Sequence, residues 1–325
     1  GYGLGEAGEG KNVTHQVKKL NDDELKDFRD RFDIPIPDSK LDKAPFYRPD
    51  EKSEEMQYIM DMRNNLGGFV PARKTITAPI TIPSTHVFNE FMSGSERDVS
   101  TTQAFVRMLT ILMKDPIIGK RITPIIPDEA RTFGLEGLFK ASGIYSVTGQ
   151  QYTPVDGATL LPYKEARDGQ ILQEGICETG AMASFLAAGT AYAVHGVPTI
   201  PFYIFYSIFG FQRVGDMIWA CGDMMCRGFL LGGTAGRTTL NGEGLQHQDG
   251  HSQVMASTVP NLKSYDPAFA YEVAIIIRDG IRRMYTEQEK IFYYLTVYNE
   301  NYSMPAVNDV SAVEEGVLRG LYCFG

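Results

Sequence analysis

One acidic residue stands at the start of an otherwise small and apolar segment. Glu178 precedes residues 181–194, which are nearly all Gly, Ala or larger apolar types. This composition predicts a buried helix over 178–195. Two interpretations of the acid remain open: it is stabilised by the positive end of the helix dipole, or it is held out of water as the proton partner of a bound group.

Aromatic residues cluster in the segment 201–211, PFYIFYSIFGF. By default they are core residues of a buried strand over 199–206 and of the helix that follows it over 209–221. At the junction of strand and helix, however, Phe209 or Phe211 could offer a ring face to a planar heterocycle.

A Gly-rich loop over 232–251 carries His247, Asp249 and His251 and is too long for a simple turn. It has neither Walker nor Rossmann glycine spacing, so a nucleotide site is weakly supported. The three polar residues could ligate a metal, although their spacing fits no standard zinc pattern. His15 lies in a second Gly-rich, polar segment, which predicts a solvated loop of the kind that can close over an active site.

Alternating helices and short apolar strands must position these residues. The pattern predicts an α/β fold with a mostly parallel sheet flanked by helices. Asp22 and Asp23 can cap the first helix. The predicted helices are 22–32, 54–66, 101–114, 178–195, 209–221 and 267–285, and the predicted strands are 122–126, 199–206, 229–231 and 291–297.

Polar residues directly follow three of the predicted strands, as in Asp128-Glu129, Ser207 and Asn299-Glu300. Ligands bind at the carboxyl ends of strands in such sheets. A site at one edge of the sheet is therefore expected.

Composition excludes several classes of protein. A net charge of -9 among 325 residues argues against a nucleic-acid partner, because phosphates are bound chiefly by Lys and Arg. The longest apolar stretch, 181–194, is too short to span a bilayer, so no membrane partner is expected. Four cysteines without zinc or disulfide spacing fit a reducing, cytoplasmic location. Since the chain begins without Met, we expect it to be cut from a longer protein.

Four long segments together resemble the homodimeric pyruvate dehydrogenases of bacteria, in the family's order and nearly end to end. They are residues 8–12 (GEGKN), 127–134 (PDEARTFG), 206–213 (YSIFGFQR) and 236–247 (GRTTLNGEGLQH).

The resemblance implies a transketolase-like, pyrimidine-binding fold for thiamine diphosphate. It assigns 1–84 to a mobile active-site loop and interdomain linker, 85–309 to the pyrimidine-binding α/β domain, and 310–325 to the truncated start of a C-terminal domain. Mg²⁺ is implied as a second cofactor, with its ligands in an N-terminal domain outside this sequence. No metal ligand is therefore assigned here.

The resemblance also assigns roles to individual residues. Glu178 would contact N1′ of the aminopyrimidine ring, and Phe209 would stack on that ring, with Phe211 as the other candidate. Tyr206 and His247 would be polar groups beside the substrate.

Two further roles follow from the same resemblance. Glu129 would be an acid near the aminopyrimidine. His15 would lie on the mobile loop that assists transfer of the two-carbon unit, and Glu9 and Lys11 would help to close this loop. Cys177 departs from the family, where a polar residue such as Asn is expected.

The implied activity is oxidative decarboxylation of pyruvate with reductive acetylation of the lipoyl group of dihydrolipoyl acetyltransferase. The implied partners are a second copy of the chain, dihydrolipoyl acetyltransferase with its lipoyl domain, and pyruvate. Two alternatives stay open at this point: a related 2-oxoacid decarboxylating or transketolase-like enzyme, and a catalytically silent fragment that acts only as an interaction piece.

Overall fold

A computed structural model describes residues 4–17, 19–65, 68–69, 77–127, 130–155, 163–236 and 244–324. The chain divides into two units, Gly1–Ala72 and Arg73–Gly325. The domain boundaries expected after residues 84 and 309 stay predictions.

In the described part of the first unit the α-helices are α1 (Asp22–Arg31) and α2 (Glu54–Asn65). The Asn21 side chain accepts a hydrogen bond from the Glu24 backbone N–H at 2.9 Å, and Glu24 accepts one from the Asn21 N–H at 2.8 Å. This reciprocal capping box begins α1. The prediction that Asp22 and Asp23 cap the helix is wrong, because both lie in its first turn. There the negative side chains interact favourably with the positive end of the helix dipole.

The second unit is built on a six-stranded sheet with the order β4-β1-β5-β6-β8-β7, in which every strand pair is parallel. A separate pair is formed by β2 and β3. The strands are β1 (Ile122–Ile126), β2 (Ile144–Tyr145), β3 (Glu165–Ala166), β4 (Leu172–Gln173), β5 (Ile200–Tyr206), β6 (Phe229–Gly233), β7 (Leu262–Tyr265) and β8 (Phe292–Thr296).

Among the described residues of this unit, five α-helices lie between strands, as parallel pairing requires, whereas one precedes β1 and one follows β8. They are α3 (Thr101–Leu112), α4 (Gly137–Ser142), α5 (Glu178–Val194), α6 (Ser207–Asp223), α7 (Ser252–Ala256), α8 (Ala270–Ile281), which continues into a π-helical turn over Arg282–Thr286, and α9 (Val310–Arg319).

Aromatic side chains show which helices cover each face of the sheet. On β5, Phe202 contacts Phe105 of α3, with ring centroids 5.9 Å apart, whereas the next residue, Tyr203, contacts Phe185 of α5 at 6.5 Å. Successive strand residues point to opposite faces. Helices α3 and α5 therefore lie on opposite sides of the sheet. Both faces are covered, which explains why the central strands are continuous apolar runs.

The sequence-based fold class is confirmed, and the predicted strand 122–126 coincides with β1. Helix α6 begins at Ser207, two residues before its predicted start, because β5 passes into the helix without an intervening loop. The remaining strands and α-helices are outside the predicted set: β2, β3, β4, β7, α4, α7 and α9. Except for α9, each has six residues or fewer, which is too short to show a clear apolar periodicity.

Gly189 brings α5 close to the segment that enters β6. A Cβ atom at this position would lie 2.1 Å from Cys226 Sγ and 2.6 Å from the Arg227 carbonyl oxygen. Only a residue without a side chain permits this approach.

We predict that Gly189→Ala lowers the free energy of unfolding by about 1–3 kcal/mol, because the backbone must move to admit the methyl group. The matched control is Gly215→Ala in α6, where an added Cβ meets no atom within 4 Å. The control should be neutral, or stabilising by up to about 1 kcal/mol. Urea unfolding of the 325-residue chain measures both, and equal midpoints for the two variants would refute the close-packing argument.

Candidate active site

The carboxyl ends of β4, β5 and β6 bring together residues that are far apart in the sequence. Glu178 follows β4, Tyr206 ends β5, and the loop that contains His247 follows β6. All three strands run in the same direction in one sheet. These residues therefore lie at the edge of the sheet where a site is expected.

Glu178 is the first residue of α5, and its side chain is only 12% exposed. Its Oε1 accepts a hydrogen bond from Arg213 Nη1 at 2.6 Å. The backbone oxygen of Glu178 accepts a hydrogen bond from the Tyr203 hydroxyl at 3.3 Å. The preceding residue, Cys177, caps the helix, with its Sγ 3.4 Å from the Gly180 nitrogen, so the departure from the family pattern leaves the carboxyl in place.

Arg213 also contacts an aromatic ring. Its guanidinium carbon lies 4.0 Å from the ring centroid of Phe209, one helical turn earlier on α6. Flat cations stack favourably on aromatic faces. Arg213 thus joins Glu178 on α5 to Phe209 on α6 through an ion pair on one side and a stacked contact on the other.

Three rings, which we call the ring cluster, adjoin this ion pair: Tyr206, Phe209 and His247. The centroids of Tyr206 and Phe209 are 6.0 Å apart, those of Tyr206 and His247 are 4.9 Å apart, and those of Phe209 and His247 are 5.1 Å apart. All three pairs meet edge to face. The structure thus gathers four of the predicted site residues: Glu178, Tyr206, Phe209 and His247.

The two candidate stacking residues lie on different sides of α6. Phe211 is buried and meets the ring of Tyr294 on β8 edge to face, with centroids 5.1 Å apart, whereas Phe209 is partly exposed and belongs to the ring cluster. Residues two apart in a helix differ by about 200° in direction. Gly210 between them has no room for a side chain, because a Cβ would lie 2.1 Å from the Phe205 ring.

The remaining predicted site residues lie elsewhere. Glu129 is outside the residues that the structure describes, as is the Gly-rich stretch 237–243. His15 is exposed on a 3₁₀ helix, Asn12–Gln16, in the first unit. Within that unit Glu9 accepts a hydrogen bond from Arg31 Nη1 at 2.7 Å, and Lys11 Nζ donates to the Glu6 carbonyl oxygen.

Asp249 is a buried acid in the loop that carries His247. Its carboxylate accepts hydrogen bonds from the backbone N–H groups of His251 and Ser252 and from the Ser252 hydroxyl. Desolvation by burial acts to raise the pKa of Asp249, but these hydrogen bonds outweigh it and the net effect is a lowered pKa. The acid is therefore held in its charged form at neutral pH.

Two residues of the candidate site, Arg213 and Thr234, are not indicated by the sequence alone. Arg213 pairs with a residue 35 positions away, which no local pattern reveals, although its place four residues after Phe209 indicated a shared helix face. Thr234, directly after β6, is buried with a backbone φ of 47°, and its Oγ1 atom has no hydrogen-bond partner among the described residues. A β-branched residue in this conformation is strained, and strain of this kind clusters at functional sites.

Metal binding and membrane insertion find no support in the described part of the chain. Among those residues no group of three or more His, Cys, Asp or Glu side chains could hold a metal ion. Nor does any helix described there have the length and apolar character needed to cross a membrane.

The fold of the chain is transketolase-like. Transketolase from Campylobacter jejuni superposes with a TM-score of 0.57 at 14% identity, over 95% of this chain and 42% of that one. Transketolase from Leishmania mexicana gives 0.55 at 16% identity, over 92% of this chain and 37% of that one. At these identities the likeness defines the fold alone.

Sequence comparison defines the family: the chain belongs to the pyruvate dehydrogenase E1 components. Residues 82–305 match the family described as the pyruvate dehydrogenase E1 component middle domain. The pyruvate dehydrogenase E1 component of Pseudomonas aeruginosa is 55% identical over 323 residues, and that of Escherichia coli K12 is 53% identical over 324. Each comparison covers 99% of this chain and 36% of the relative, so the chain spans about a third of its relatives' length.

We predict that Phe211→Ala lowers the free energy of unfolding by about 3–5 kcal/mol, because it removes a buried ring from the core. Phe209→Ala is the matched substitution two residues away, on a side chain that is not buried, and should cost less than half as much. Chemical denaturation of both variants distinguishes them. A larger loss for Phe209→Ala would contradict the assignment of Phe211 to the core.

Proposed function

We propose that the whole protein is a thiamine-diphosphate-dependent pyruvate dehydrogenase and that this chain supplies the groups that hold the aminopyrimidine ring. The reaction would be oxidative decarboxylation of pyruvate, in which reductive acetylation of a lipoyl group on dihydrolipoyl acetyltransferase takes up the two electrons. Family membership supports the reaction class. The arrangement of Glu178, Arg213 and Phe209 supports the assignment of the ring site.

The residues present fit such a ring. The Arg213 guanidinium is flat and carries N–H donors, and it stacks 4.0 Å from the Phe209 centroid while donating to Glu178 at 2.6 Å. A planar nitrogen heterocycle needs the same two contacts, a ring face and a carboxylate. In this proposal the aminopyrimidine ring displaces the Arg213 guanidinium from between Glu178 and Phe209.

Bound thiamine diphosphate supplies the nucleophilic carbon and the electron sink that decarboxylation of a 2-oxoacid requires. Glu178 would hold a proton at the ring nitrogen N1′, a task suited to a carboxyl that is mostly shielded from water. Phe209 would fix the plane of the ring by stacking. Because these two side chains start from different helices that pack together, their separation is set by the fold.

Tyr206 and His247 would act on the substrate. Both carry hydrogen-bond donors and both adjoin Phe209, so they lie next to the proposed ring site. Donors placed in advance against a carbonyl oxygen stabilise the negative charge that develops there. The keto oxygen of pyruvate is the group that these donors would meet.

The assembly is also a proposal. We expect a cytoplasmic homodimer with Mg²⁺ held by ligands outside this chain. Thr179, Ala183 and Ala187 form an exposed stripe of small residues along α5, beginning beside Glu178. Small residues at intervals of four allow a second helix to approach closely, which supports an interface next to the site.

We predict that Glu178→Gln in the full-length enzyme lowers kcat for pyruvate decarboxylation at least about a hundredfold while the protein stays folded, because the amide cannot exchange the proton at N1′. The measurement is carbon dioxide release in the presence of thiamine diphosphate, with circular dichroism as the folding check.

Glu314→Gln is the matched control for this experiment. Glu314 pairs with Arg278 at 2.6 Å, the same separation as in the Glu178–Arg213 pair, but it lies on α9. The control should keep nearly normal activity. Comparable decarboxylation rates for the two variants would overturn the proposed role of Glu178.

For His15→Ala we expect decarboxylation with an artificial electron acceptor to survive better than acetylation of the lipoyl domain, since the proposed role of His15 lies in group transfer. His86→Ala is the matched control, because His86 is likewise exposed on a 3₁₀ helix, Thr85–Met92. Equal fractional losses in the two assays would remove the special role of His15.

A further inference from the structure

We propose that Asp249 is a positioning residue that holds His247 in the ring cluster. The inference rests on the proposed function, in which His247 meets the substrate. Asp249 makes hydrogen bonds to the loop and to the start of α7, so it would act on His247 through the loop.

The backbone around Asp249 closes the base of the loop. The Asp249 N–H donates to the Gly236 carbonyl oxygen at 3.0 Å, which joins the two described ends of the loop. Beside this bond, the Ala235 N–H donates to the Val297 carbonyl oxygen at 3.1 Å. The loop base is thereby fixed to the chain that follows β8.

The Asp249 side chain adds a second anchor that reaches into the core. Its Oδ1 accepts from the His251 N–H at 3.1 Å and from the Ser252 N–H at 3.0 Å, and its Oδ2 accepts from the Ser252 hydroxyl at 2.5 Å. The Ser252 oxygen in turn accepts from the hydroxyl of Tyr294, a buried residue of β8. A continuous chain of hydrogen bonds therefore runs from the sheet to Asp249.

The chemistry of this anchor requires an acceptor at both oxygens. The Asp249 carboxylate is 4% exposed, and in the described part of the chain its ion-pair partner is His251, with Nδ1 4.0 Å from Oδ1 and a side chain 47% exposed. The groups closest to the Asp249 carboxylate are instead the N–H and O–H donors of His251 and Ser252. An amide of the same shape would turn one acceptor into a donor and break part of the anchor.

His247 lies two residues before this anchor, at the end of the 3₁₀ helix Leu245–His247. Its N–H donates to the Gly244 carbonyl oxygen at 3.0 Å, and the Gln248 N–H donates to that of Leu245 at 3.1 Å. Because this short turn ends at the anchor, displacement of Asp249 moves the His247 ring relative to Tyr206 and Phe209. A misplacement of about 1 Å at a reacting group can cost about a hundredfold in rate.

The test is a double-mutant cycle in the full-length enzyme with Asp249→Asn and His247→Ala. We expect Asp249→Asn alone to lower kcat roughly tenfold or more, and to lower it by less than about twofold when His247 is already Ala, since the group that it positions is gone. An equal fold-loss in both backgrounds overturns the inference, because Asp249 would then act on the structure generally. Normal activity of His247→Ala alone overturns the proposed role of His247 and this inference with it.

Two further variants keep the test sharp. Asp309→Asn is the matched control, since Asp309 also accepts from a serine hydroxyl, that of Ser311 at 2.5 Å, and from the Ala312 backbone N–H at 3.2 Å, but at α9. It should leave kcat unchanged, and a loss equal to that of Asp249→Asn counts against the inference. If Asp249→Asn does not fold, Ser252→Ala breaks the same anchor at its next link, and the same non-additivity with His247→Ala is expected.

Discussion

The ion pair between Glu178 and Arg213 is the contact on which the arrangement of the site depends. It joins the first residue of α5 to the second turn of α6, and Arg213 carries that connection on to the ring of Phe209. A carboxylate shielded from water is costly unless it is paired, so Glu178 requires a partner: Arg213 in this structure, and the ring nitrogen in the proposed function. The packing of the two helices on one another makes that distance possible.

Buried hydrogen bonds hold the loop that carries His247. The loop after β6 places His247 beside Tyr206 and Phe209, and hydrogen bonds fix the base of that loop. Asp249, Ser252 and Tyr294 form a chain of donors and acceptors that ends inside the sheet. Networks of this kind are rigid when every member is satisfied.

Much of the fold could be predicted from the sequence, because buried parallel strands are continuous apolar runs and β1 was located to the residue. Glu178, Tyr206, Phe209 and His247 were also predicted, through resemblance to a family rather than through spacing. The choice between Phe209 and Phe211 depends on which side of α6 faces the core, and the sequence around two apolar rings does not show that. Arg213 and the Asp249 anchor depend on contacts between distant segments, which local patterns do not carry.

The uniform direction of the six strands has an evolutionary consequence. The segments that carry the candidate site residues follow the carboxyl ends of the strands, at one edge of the sheet. The strands themselves are buried beneath helices on both faces. Substitutions in those segments can therefore alter which compound is accepted while the thermodynamic stability of the scaffold changes little. New specificities could therefore evolve without compensating substitutions that restore the stability of the fold.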